Sequence, residues 1–134
     1  MQLIESILAD SAAATALRRD LHAHPELCFH ETRTSDVIAN ALTEWGIPIH
    51  RGLGTTGVVG IVKGTRGESS RAVGLRADID ALPITEHNTF PHASRHAGKM
   101  HACGHDGHTA MLLAAAKHFS KHRDFAGTVY LVFQ

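Results

Sequence analysis

Thr128-Val129-Tyr130-Leu131-Val132-Phe133 is a nearly unbroken apolar run in a chain of 134 residues. Runs of this kind are read as strands covered on both faces of a sheet. Upstream, Ala72-Val73-Gly74-Leu75-Arg76-Ala77 has the same character. Between the two lies Thr109-Ala110-Met111-Leu112-Leu113-Ala114-Ala115-Ala116, a run of strong helix formers that predicts a helix from about Asp106 to Lys121. Strand, helix and strand in this order make a crossover, so the two strands are expected to be parallel neighbours in one sheet. The fold class is therefore α/β, a mixed sheet flanked by helices.

Working outward, Val58-Val59-Gly60-Ile61-Val62 predicts a third strand, closed by Lys63-Gly64 and a polar loop to Ser70. Gly52-Leu53-Gly54-Thr55-Thr56-Gly57 is rich in glycine but lacks the lysine and spacing of a phosphate-binding loop, so it reads as a turn. Ile47-Pro48-Ile49 opens an extended segment. A helix is expected from about Thr32 to Trp45, with Val37, Ile38, Ala41, Leu42 and Trp45 as its apolar stripe and Gly46 as its C-terminal cap. Leu3, Ile4, Ile7 and Leu8, then Leu17 and Leu21, mark helical faces nearer the N-terminus. Pro25 should end that helix near His24.

Thirteen basic and thirteen acidic residues balance to zero, and 43% of the chain is apolar. That balance offers no basic face for nucleic acid. No apolar run approaches the roughly 20 residues that span a bilayer. The acidic N-terminal stretch does not suit a signal peptide. Cys28 and Cys103 are too few for a disulfide scaffold. The expectation is a single cytoplasmic unit over residues 1–134, partnered by neither nucleic acid nor membrane.

Chemistry collects in Met100-His101-Ala102-Cys103-Gly104-His105-Asp106-Gly107-His108, where a thiol, imidazoles and a carboxylate meet at a helix start. Cys103-x-His105 can place sulfur and nitrogen on one metal ion. The strand ending at Ala77 runs at once into Asp78-Ile79-Asp80, whose alternate residues share a side. Ligands of open α/β sheets bind outside the carboxyl ends of the strands, which is where these aspartates fall. His22 and His24 lack a third partner nearby in sequence and read as surface or supporting residues. A cysteine nucleophile with a histidine base is the alternative chemistry for Cys103 and His105, although metal ligation uses more of the cluster.

Three ordered stretches carry a family resemblance. Leu17-Arg18-Arg19-Asp20-Leu21-His22-Ala23-His24-Pro25-Glu26-Leu27, Leu75-Arg76-Ala77-Asp78-Ile79-Asp80-Ala81-Leu82-Pro83-Ile84 and His101-Ala102-Cys103-Gly104-His105-Asp106-Gly107-His108 together resemble the M20 metallopeptidase family. The likeness is to its amidohydrolase branch of hippurate, N-acyl-amino-acid and indole-acetyl-amino-acid hydrolases, and Gly127 to Gln134 extends it. The resemblance implies the N-terminal part of a zinc-aminopeptidase-like catalytic domain that hydrolyses N-acyl amino acids. It implies two divalent ions, zinc or manganese, with cobalt or nickel as further candidates. Cys103 and His105 would be ligands, Asp80 would lie beside the metals and support them, and Asp78, Asp106 and His108 would stand behind the ligands or at the helix start.

In the family, the strand ending in Phe-Gln continues into a segment that supplies the general-base glutamate, and later segments add histidine ligands and a lid or dimerisation domain. Here the strand reaches Gln134 with no turn residue after it. Two ligands are also fewer than the three expected at a catalytic zinc. The expectation is an incomplete catalytic domain, inactive alone, with any homo-oligomer depending on the absent domain. A stand-alone, catalytically empty metal-binding fragment is the competing expectation.

Overall fold

The computed structural model describes residues 4–134. Its elements are α1 (Glu5–Ala9), α2 (Ser11–Ala23), α3 (Thr32–Glu44), β1 (Ile49–Leu53), β2 (Gly57–Lys63), β3 (Ala72–Ala77), α4 (His105–Lys121) and β4 (Thr128–Phe133). They build a mixed sheet of strand order β1-β2-β4-β3. β1 and β2 form an antiparallel hairpin, β2 pairs antiparallel with β4, and β4 lies parallel to β3 in the register Ala72↔Thr128 to Ala77↔Phe133. The crossover from β3 through α4 to β4 is the one expected from the apolar runs.

The core forms where α3 and α4 meet one face of this sheet. Ile38 and Leu42 from α3 and Leu113 and Ala116 from α4 pack against Val58, Val62, Val129, Leu131 and Phe133, all of them buried. Period-two alternation sends Tyr130 to the opposite face, where it is 39% exposed. β4 is thus covered on one face by the described residues, not on both, because both helices that reach the sheet sit on the same side. Gly127 closes the turn into β4 with φ +99°, and a Cβ there would fall 2.3 Å from the Arg71 carbonyl oxygen that accepts the Thr128 amide.

Two further differences from the sequence expectation have local causes. The extended segment after Ile47 becomes the strand β1, whose residues beyond Ile49 are exposed and so leave no apolar alternation to read. The N-terminal helix is broken between Ala9 and Ser11, and Ile4 and Leu8 are about half exposed instead of forming core. Leu3 lies outside the described residues.

Burial ranks these positions energetically. Leu42→Ala should cost about 2–5 kcal/mol through lost transfer energy and the cavity left behind. Leu8→Ala should stay within about 0.5 kcal/mol, as for other surface changes. Urea denaturation of both variants checks the ordering.

Candidate metal centre

Strand β3 delivers Asp78 and Asp80. Ile79 between them is fully buried, so the chain's alternation turns both carboxylates the other way, toward the start of α4. The exit is held on both flanks. Ala81 N–H donates to the Glu26 carbonyl at 2.7 Å, and Leu82 bridges Met100 in antiparallel fashion. The Glu26 carboxylate meanwhile accepts the Arg33 and Thr34 amides and so caps the first turn of α3 from outside. Gly104, at φ +86°, occupies the left-handed region just before α4 begins.

At the first turn of α4, His105 Nδ1 lies 2.8 Å from Asp80 Oδ1 and 2.9 Å from the Asp80 carbonyl oxygen. Both partners only accept, so Nδ1 carries the proton and donates. In the neutral ring the lone pair then sits on Nε2, and Nε2 faces Asp78 Oδ2 at 3.5 Å. His108 Nδ1 donates in the same way to Asp78 Oδ1 at 2.6 Å. Burial alone would push the Asp78 carboxyl up, but the His108 hydrogen bond and the nearby His105 and His108 charges outweigh it and hold the group below its usual range.

The His105 lone pair and the Asp78 carboxylate oxygen face each other across a gap that a cation, either a second proton on His105 or a metal, would bridge; the Arg76 guanidinium lies 3.8 Å from the same Oδ2. A tetrahedral zinc bonded at about 2.0–2.2 Å keeps its donor atoms about 3.4 Å apart, close to the observed spacing. Asp78, His105 and His108 each offer a ligand atom, and these atoms lie within 4.8 Å of one another. Nitrogen and carboxylate donors of this kind suit zinc and its neighbours. The residues fit a divalent ion.

The remaining candidates fall differently. Cys103 is exposed and free, on the loop two residues before His105, and is not one of that close set. Asp80 acts on His105 from behind. Asp106 is fully buried and turned away from the set: Oδ2 accepts from His22 Nδ1 at 2.8 Å and from Arg18 Nε at 3.2 Å. Two open grooves flank the centre. One of about 500 Å³ is lined by Arg76, Asp78, His108 and Met111, and one of about 260 Å³ by Phe29, Glu31, Arg76 and Asp80. A further hollow of about 750 Å³ lies along the Lys63–Ser70 loop at the other end of the sheet and is lined by no cluster of titratable groups.

Sequence reasoning missed the buried support beneath this centre. His22 is wedged between Asp106 and Glu86, whose Oε1 lies 3.1 Å from His22 Nε2. Carboxylates only accept, so a neutral His22 satisfies one of them and an imidazolium satisfies both. Glu86 also accepts from Asn88 and from the Ser94 amide. His101 is buried beside His22, and desolvation pushes its pKa down. His24 is held by its own helix, with Nδ1 donating to the Asp20 carbonyl. The nearest signal for His22 was its position one helical turn after Arg18, which reaches the same Asp106.

Residues 74–134 match the model of Peptidase family M20/M25/M40. The chain is 43% identical over its full length to hippurate hydrolase of Campylobacter jejuni subsp. jejuni, and 44% identical over 99% of its length to the N-acyl-L-amino acid amidohydrolase of Geobacillus stearothermophilus. It spans 34% and 35% of those two proteins, about a third of the length of the curated relatives it matches. Among solved structures it superposes on the YXEP protein of Bacillus subtilis, described as a dinuclear metal binding peptidase of the M20 family. That superposition has a TM-score of 0.88 and 43% identity, covering 95% of this chain and 35% of the other. An aminohydrolase of methicillin-resistant Staphylococcus aureus gives a TM-score of 0.91 at 37% identity, covering 97% and 34%.

Two outcomes follow from the geometry. Asp80→Asn removes the carboxylate behind His105 and should weaken zinc binding about 10–100-fold, read by competition with a chromophoric chelator. The hydrogen bonds from Asn88, Ser94 and His22 outweigh burial and hold the Glu86 carboxyl below its usual range. Its stabilisation is therefore whole above that range and fades as pH falls through the lowered value. Thermal melts from pH 6 downward should show this acid loss (about two pH units, the span over which a carboxylate titrates), and Glu86→Gln should flatten it.

Proposed function

We propose that this chain, a sequence of the M20 peptidase family, forms the front of a metal-dependent hydrolase that cleaves the amide bond of N-acyl amino acids such as hippurate. The observation that carries the reading is the pinned His105 ring: Nδ1 is committed to Asp80, and Nε2 faces Asp78 at 3.5 Å across a gap that a cation would bridge.

On this reading His105 and Asp78 hold the first of two divalent ions, zinc or manganese. Cys103, on the exposed loop two residues before His105, joins them as the further ligand that the family resemblance implies. Cobalt and nickel are also compatible with imidazole ligation. When bound, the metals supply a water whose pKa is lowered toward about 7 and polarise the scissile carbonyl. The chain's own residues do the rest of the arranging. Asp80 keeps the proton on Nδ1 of His105 and so keeps Nε2 available. Asp78 and His108 add negative charge and a second imidazole on the open side. Arg76, which lines both grooves, offers a cation to the carboxylate of an amino-acid product.

Proton transfer from water to the leaving amine needs a general base, and the nearby glutamates are occupied elsewhere. Glu26 caps α3, Glu31 accepts from Thr56 Oγ1, and Glu86 holds His22. The base would come from a segment beyond those present here, together with further ligands. We further propose a cytoplasmic protein acting on a small-molecule substrate, with any self-association running through the family's lid or dimerisation domain. Among the described residues no helix is long and apolar enough to cross a membrane.

The test is hydrolysis of hippurate and other N-acyl amino acids by the complete reading frame and by residues 1–134 alone, each supplied with zinc or manganese. Turnover by the former and none by the latter is expected. Failure of the metal-loaded complete protein on every N-acyl amino acid would overturn the reading, and turnover by the isolated chain would overturn the assignment of the base to another segment.

A further inference from the structure

Phe29 stands on the turn that leads into α3. It is 63% exposed, and its backbone lies in the left-handed region at φ 64°. A bulky side chain reaches that region only with strain, whereas glycine takes it freely. Thr55, at φ 78°, is the other non-glycine residue of positive φ among the described residues. Both belong to turns that wall one groove, the hollow of about 260 Å³ where Phe29, Gly54 and Thr56 meet Arg76 and Asp80. A single exposed apolar side chain needs no explanation, but one held against its backbone preference does. Strain of this kind persists where the surroundings impose it, and it gathers at ligand-binding sites. Here the surroundings do impose it. The His30 amide donates to the Leu27 carbonyl at 2.9 Å and closes the turn beneath Phe29, and Leu27 bridges Ala81, the residue after Asp80. The buried Glu31 carboxylate accepts from Thr56 Oγ1 and ties the two walls together.

We propose that Phe29 seats the acyl group of the substrate, and that the group it selects is a flat aromatic one such as benzoyl. The proposal rests on the hydrolase reading above and deepens it by naming the residue that sets the acyl preference. Asp80 orients His105 and lines the same groove as Phe29, so a group resting on the ring lies beside the metal centre. An aromatic side chain fixed beforehand meets a second ring with little ordering cost, and paired rings gain beyond the area they bury. Gly54 adds no side chain to the facing turn, where a Cβ would stand 3.1 Å from Gln134 Nε2, so the space between the walls stays open. Arg76 is the one cation that lines the groove, and it answers the carboxylate end of the substrate. The ring is left to the acyl end.

The test compares hippurate with N-acetylglycine on the metal-loaded complete protein, as wild type, Phe29→Gly and Phe29→Tyr. The ratio of kcat/KM for hippurate to that for N-acetylglycine should fall about three- to tenfold in Phe29→Gly, the scale of one aromatic contact, and stay near wild type in Phe29→Tyr. Phe29→Gly should melt at or above the wild-type temperature, because glycine takes φ 64° without strain. An unchanged ratio in folded Phe29→Gly overturns the inference. So does a lower melting temperature with equal loss on both substrates, which would make the ring part of the fold. Saturation-transfer NMR from the zinc-loaded complete protein to the hippurate ring reads the seat without turnover. Transfer in wild type that disappears in Phe29→Gly is expected even if neither compound is hydrolysed, an outcome that would count against the reaction alone. Transfer that persists in Phe29→Gly, or none in wild type, overturns the seat itself.

Discussion

The hydrogen bonds from His105 Nδ1 to Asp80 join the two ends of a βα crossover. Asp80 belongs to the exit of β3, and His105 is the first residue of α4. Between them runs a long loop that must return to the same corner of the sheet. The bond fixes where that loop ends, which ring nitrogen carries a proton, and which nitrogen faces Asp78. Histidines that bind metals are generally oriented by a partner on the other ring nitrogen, and Asp80 offers His105 both its side chain and its carbonyl in that position. The left-handed Gly104 lets the chain turn into the helix at that point, where a side chain would be strained.

Below this junction the structure tolerates an arrangement that is costly unless complete. Asp106 and Glu86 are nearly shielded from solvent, and each needs partners to remain charged there. His22 supplies one to both, and Arg18 reaches Asp106 from the surface. The network spans α2, the loop around residue 86 and the first turn of α4. It therefore couples the His-Pro-Glu stretch to the loop that leads into α4, although the two are far apart in sequence. His101 sits against it with neither ring nitrogen paired. A buried, unpaired ring of this kind is the sharpest departure from ordinary polar satisfaction among the described residues.

Much of this was legible in the residues. The apolar runs at 72–77 and 128–133 and the helix formers between them dictate a parallel pair with a crossover, and β3 and β4 form it. Asp78-Ile79-Asp80 follows from strand alternation, and the fully buried Ile79 supports that alternation. The strand β1 was legible only as an extended segment opening at Ile47-Pro48-Ile49; its continuation through Leu53 was not, because His50 and Arg51 lie on an exposed edge and give no apolar period. The division of labour in the first turn of α4 was only partly legible. Residues three apart on a helix share a face, so His105 and His108 both reach Asp78 while Asp106 is turned toward His22. Glu86 lies in an aperiodic loop, and its role depends on tertiary contacts that no local pattern encodes. The one-sided cover of the sheet is likewise a matter of which elements are present, since the composition of β4 suits burial on either face.

The central claim is that Asp80 fixes His105 as a ligand through Nε2. The most direct measurement is the long-range proton–nitrogen NMR spectrum of the His105 ring, recorded with and without zinc. A protonated Nδ1 in both states, with the Nε2 resonance moving to a metal-bound position on zinc addition, is the expected result. A proton on Nε2, or a His105 ring that zinc leaves unchanged, would contradict the account.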